Sequence, residues 1–202
     1  MRRAFLELPE GYRLYRTIDL AKDRRLARKV ALLSLGIAGV MLVLALPLVP
    51  FSTFFDFRHP STADGVRLLL LLPAMFLYVL THEWIHGIYM KKYSGVRPKY
   101  GFSGMYAYAG SPAFFPRRIY LLIALAPVIL WGGILLILNL ALPTSCFWFV
   151  YLLQILNLSG AAGDFYVSTV FSRLPPGLLV RDDGVRMELY LRMQKAKTPQ
   201  SE

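Results

Sequence analysis

Four long apolar runs dominate this sequence. They cover about Val30 to Val49, Val66 to Met90, Ile119 to Leu142 and Phe147 to Phe171. A helix needs about 20 apolar residues to cross the hydrocarbon layer of a bilayer, and each run reaches that length. Uncharged stretches this long are rare in the core of a water-soluble helical fold. The expected fold class is therefore an all-α membrane protein. It has about four transmembrane helices, with a small cytoplasmic β-hairpin-like loop and tail. The first run begins after 29 residues and exceeds the 7–15 apolar residues of a signal-peptide core, so it reads as a span.

Charge settles how the spans are oriented. The chain carries 23 Lys+Arg against 12 Asp+Glu, a formal charge of +11. Residues 1–29 hold nine of the cations, the loop 91–118 six, and the tail from 172 six; only Arg58 and Arg67 remain for the other side. Cytoplasmic segments next to spans carry the excess of Lys and Arg. The expectation is a multi-pass protein of the cell membrane with both termini and the middle loop in the cytoplasm. The same placement argues against nucleic acid as a partner, because cations beside span ends meet anionic headgroups of the lipid bilayer. The chain divides into a basic N-terminal segment (1–29), a four-span core (30–171) and a cytoplasmic tail (172–202).

Local patterns fill in the segments outside the bilayer. Ile18 to Leu26 mixes helix formers with both charge signs and reads as a helix along the membrane surface. Lys99 to Phe102 and Met105 to Tyr108 flank Ser103-Gly104, a hairpin spacing. Leu178 to Arg181, Asp182-Asp183-Gly184 and Val185 to Leu191 repeat that signal in the tail. Cys146 is the only cysteine, which excludes an internal disulfide and a cysteine-based zinc cluster.

Two acids lie within the apolar runs, Glu83 and Asp164. An ionisable group in the bilayer is costly and marks a functional site. Glu83 belongs to His82-Glu83-Trp84-Ile85-His86, an H-E-x-x-H pattern. Histidines four apart share one helix face and can share one zinc ion, with the glutamate beside them as a general base. In a chain with three His and five Glu, chance supplies this pattern at a frequency of about 0.001. The third His, His59, sits beside Pro60 in the outer loop and reads as solvated.

A catalytic zinc needs a third protein ligand, and Asp164 is the remaining intramembrane candidate. Depth agrees with that. At 1.5 Å per residue His82 lies about 21 Å, and Asp164 about 26 Å, from the outer ends of their spans. Both fall in the half nearer the cytoplasm. Asn157, seven residues before Asp164, shares its helix face and could orient a ligand or steady an oxyanion. Ser159-Gly160-Ala161-Ala162-Gly163 allows close helix approach beside Asp164.

At these residues the chain resembles zinc intramembrane proteases of the site-2 protease type, and more closely the zincin peptidase family of short four-span proteins. The resemblance rests on Leu8-Pro9-Glu10-Gly11-Tyr12, His82 to Gly87, Tyr106-Ala107-Tyr108, Ala126-Pro127, Asn157 to Asp164, and Leu179 to Gly184. It implies Zn2+ held by His82, His86 and Asp164, with Glu83 catalytic. It also implies hydrolysis of a membrane-protein or peptide substrate near the cytoplasmic side. Asp164 is followed by Phe165 where the site-2 pattern has Gly, and no proline lies nearby. The competing class is a non-catalytic membrane zinc-binding or scaffold protein, which would have no need of Glu83. A metal transporter would spread ligands along a path, whereas here they cluster at one depth.

Overall fold

The computed structural model describes residues 4–19, 22–103 and 106–193. The helices open and close on chemistry visible in the sequence. Helix α1 (Arg24–Ala45) starts where the Asp23 carboxylate accepts from the Arg25 and Leu26 amides at 3.1 and 3.0 Å, and it stops short of Pro47. Helix α2 (Thr62–Ser94) opens on a reciprocal cap. The Ser61 hydroxyl accepts from the Asp64 amide, and the Asp64 carboxylate accepts from the Ser61 amide. It closes at Gly95, whose φ of 77° is the left-handed turn that glycine adopts without penalty.

Helix α3 (Arg117–Ala141) follows Pro116 and ends before Pro143. The last apolar run is two helices, α4 (Phe147–Gly160) and α5 (Ala162–Ser172), with the break at Ala161 (φ −81°, ψ 15°). One continuous span was expected there. The break falls in the small-residue run, where no large side chain locks the turn, and it places Asp164 in the first turn of a new helix.

Four helical stretches are long and apolar enough to cross a membrane: Arg24–Ala45, Thr62–Ser94, Arg117–Ala141 and Thr144–Ser172. Their outer faces expose Leu35, Leu69, Leu72, Ile137 and Leu140, a surface suited to hydrocarbon.

The all-α expectation needs correcting. Strands β1 (Tyr12–Asp19), β2 (Lys99–Phe102), β3 (Ala107–Pro116), β4 (Leu179–Asp182) and β5 (Arg186–Arg192) form one antiparallel sheet in the order β1-β5-β4-β3-β2. Both expected hairpins are present, β2–β3 and β4–β5, but pairing of β3 with β4 fuses them. Pro112 cannot donate to a ladder, and the β3–β4 register shifts between Ser111 and Phe114 to accommodate it.

The surface-helix reading of Ile18 to Leu26 also fails. Ile18 and Asp19 end β1, which pairs along β5 from Tyr12↔Arg192 to Asp19↔Arg186. That partner lies some 170 residues away, so no local pattern announces it. Leu20, Ala21, Gly104, Met105, Lys195 and Lys197 lie outside the described residues.

The sheet has a bearing on sidedness. It joins the N-terminal segment, the middle loop and the tail by hydrogen bonds, so all three lie at the same end of the helices. These are the three cation-rich segments. Arg67 is at the opposite end, where its guanidinium donates to the Thr53 and Phe54 carbonyls and to Asp64.

Between sheet and helices lies the main core, with Phe115, Phe171, Leu178, Val180 and Leu189 fully buried against Met90 and Ile123. A second cluster at the far end centres on Trp148, whose indole donates to the Val49 and Pro50 carbonyls. The two clusters clamp the helices at both ends and leave the site between them.

Candidate metal centre

His82 and His86 face the interior of α2 one turn apart, each 8% exposed. Their Nε2 atoms are 3.2 Å from each other. Asp164, delivered by α5, brings Oδ2 to 3.4 Å from His82 Nε2 and Oδ1 to 3.7 Å from His86 Nε2. All the donor atoms fall within 4.8 Å of one another. Sequence reasoning named these three residues, and the fold brings them together from chain positions about 80 apart.

The spacing distinguishes a metal site from an ordinary ion pair. A good N–H···O contact is 2.7–3.2 Å, shorter than either His–Asp distance. Zinc ligands at 2.0–2.1 Å in a tetrahedron are about 3.3–3.4 Å apart, which is the spacing found here. The second nitrogen of His86 fits too. Its Nδ1 lies 2.9 Å from the Ile123 carbonyl, which can only accept, so Nδ1 carries the proton and Nε2 presents a lone pair. The donor set suits zinc in kind as well, two imidazoles and one carboxylate.

Glu83 and the three donors line one cavity of about 430 Å³. Glu83 is half-buried, and the Ala109 backbone N–H lies against its carboxylate. The walls are mostly apolar, with Val79, Ile123, Ala124, Leu156 and Val167 among them. The sheet contributes Tyr106 to Ala109 and Asp182. Gly87 follows the motif because Tyr100 of β2 lies over it: a Cβ there would collide with the Tyr100 hydroxyl. Gly184 (φ 91°) likewise lies against the Tyr108 ring, which holds the β4–β5 turn over the cavity.

Asn157 is fully buried and does not line the cavity. Its amide donates to the Val128 carbonyl at 3.2 Å and its oxygen accepts from Tyr78 at 3.0 Å. That position suits ligand orientation and leaves no free donor for an oxyanion. Tyr78 itself was missed by sequence reasoning, since a tyrosine within an apolar run reads as packing. The spacing to His82, one turn, was the available signal. His59 is exposed, and Cys146 is half-buried at the start of α4.

Asp182 was not singled out as a site residue either. It is 6% exposed and accepts from the Tyr120 hydroxyl at 2.5 Å and from the Gly184 amide at 2.9 Å. Burial pushes its carboxyl up to about 6, with those two hydrogen bonds pulling the other way. The folded chain therefore holds this proton more tightly than the unfolded chain. Stability falls as pH rises from about 4 to about 6, by up to about 3 kcal/mol from this group. Asp182→Asn should flatten the thermal midpoint across that window relative to wild type; parallel curves would contradict it.

Comparison with curated proteins and with solved structures finds no match. A family model described as "Putative zincin peptidase" matches residues 75–179, from just before Tyr78 to the first residue of β4. That match takes in the His pair, Glu83, Asn157 and Asp164, and zinc is the metal such a family implies. Since it covers more than half of the chain, the protein belongs to this zincin peptidase family.

Proposed function

We propose that the chain is a zinc-dependent peptidase embedded in the cell membrane that cleaves peptide bonds near the cytoplasmic side. The observation that carries this is the tetrahedral spacing of His82 Nε2, His86 Nε2 and an Asp164 oxygen beside Glu83 in one cavity. When bound, zinc supplies Lewis acidity, which activates water and polarises a carbonyl.

The chain's own residues do the rest. His82, His86 and Asp164 hold the ion. Glu83 takes the proton of the attacking water on its carboxylate and returns it to the leaving nitrogen. The apolar walls strengthen both charge interactions by keeping bulk water out.

A peptide must be extended to reach this chemistry. Ala107 to Gly110 pair with β2 on one side, and the pairing of β3 with β4 begins only at Ser111. The first half of β3 thus offers a backbone edge beside Glu83, and an unwound membrane segment can add to it as a strand. The cation-rich sheet end faces the cytoplasm in this reading, with the outer helix faces in lipid.

Purified chain in detergent should retain about one zinc per molecule and cleave an unfolded membrane-protein segment. A strong chelator should stop cleavage, and added zinc should restore it. A chain that binds no zinc would end this reading.

A further inference from the structure

The second nitrogen of His82 has no carbonyl to fix it. It lies 2.8 Å from the Tyr78 hydroxyl, which can either donate or accept. The geometry points to Tyr78 and Asn157 as a relay of positioning residues that sets the tautomer of His82 and so its ability to bind a metal. This rests on the reading of the His pair as ligands.

The deduction begins at Val128. Its carbonyl oxygen carries no proton, so the Asn157 atom 3.2 Å away is the amide nitrogen, donating. Gly132, one turn along α3, leaves room for that approach, since a Cβ there would lie 3.4 Å from Asn157 Nδ2. With the amide nitrogen so placed, Asn157 presents Oδ1 to Tyr78 at 3.0 Å. Oδ1 carries no proton either, so the phenol donates to it.

A phenol has one proton. Toward His82 its oxygen can therefore only accept, and His82 Nδ1 must donate. The ring proton is then on Nδ1, and Nε2 is left as a bare lone pair, 3.2 Å from the bare Nε2 of His86. Tyr78 is 5% and Asn157 0% exposed, so solvent does not substitute for either partner. The row links three helices, α3 to α4 to α2, and ends on the metal-facing atom. His86 uses a fixed carbonyl for the same purpose; His82 uses a relay that a substitution can reverse.

That reversibility supplies the test. The chain has only three histidines, so nitrogen-15 spectra of histidine-labelled protein in detergent resolve each ring. Metal-free wild type should show His82 protonated at Nδ1. In Asn157→Leu the phenol proton has lost its acceptor and turns to Nδ1, so His82 should show the proton on Nε2. Tyr78→Phe removes the donor and should give a mixture of the two forms.

Zinc affinity, measured by competition with a chromophoric chelator, should follow. Tyr78→Phe should weaken binding about tenfold. Asn157→Leu should weaken it further, and the double variant should return to the level of Tyr78→Phe alone. A purely structural role would give additive losses instead. A wild-type His82 protonated at Nε2, an unchanged tautomer in Asn157→Leu, or additive losses would overturn the relay. Because the spectra are taken without metal, they decide the relay even if the chain binds no zinc, a result that would sink the proposed function separately.

Discussion

Glu83→Gln should leave zinc in place and lower cleavage by about 10²- to 10⁴-fold, the usual weight of a general base. The reason lies in the division of labour within the cavity. The three donors that close around one point are His82, His86 and Asp164, and Glu83 is not among them. A carboxamide keeps the shape of the side chain but cannot take a proton. Metal content and turnover of a membrane-protein segment should therefore separate cleanly in this variant. A rate within tenfold of wild type would remove Glu83 from the chemistry and favour a zinc-binding scaffold. In cells, membrane proteins that accumulate in the Glu83→Gln strain would be the substrates.

Asp164→Asn should have the opposite signature, loss of the metal itself. The carboxylate spans both histidines, with one oxygen toward each ring. A neutral amide removes the only anionic donor, and zinc affinity should fall by at least about a hundredfold, beyond what an outer-shell change costs. Cleavage should fall with it and recover in part at high zinc. The helix should survive, because α5 is anchored by Val167 and Phe171 in the main core. His86→Ala should lose zinc as well. Unchanged affinity in Asp164→Asn would mean that another group completes the site.

The parts of this molecule that were legible in the sequence are those encoded locally. Four apolar runs predicted four helical stretches within a few residues, and the two hairpins were marked by their turns. The metal donors were legible because a histidine pair at one-turn spacing and an acid in an apolar run are both costly to keep without a use. Long-range pairing was not legible. Tyr12 to Asp19 mixes charged, aromatic and apolar side chains, and only the β5 ladder gives them a strand geometry. The break at Ala161 was hidden because small residues are read as close packing as readily as a turn. Tyr78 and Asn157 were unresolved for a further reason: their roles lie in the direction of protons, which depend on a carbonyl of a third helix.

The strand order has a consequence for how the protein is made. β1 leaves the ribosome early, but its partner β5 is the last strand of the sheet. At 5–20 residues per second, β1 waits about 8–33 s for the chain that completes its ladder. The histidine pair and Glu83 are made during that interval, before Asp164 and before the turn at Gly184 that covers the cavity. A half-made chain thus carries the proton acceptor without the third donor or the sheet wall. Translation order alone keeps the nascent protein inert until its final strand is in place.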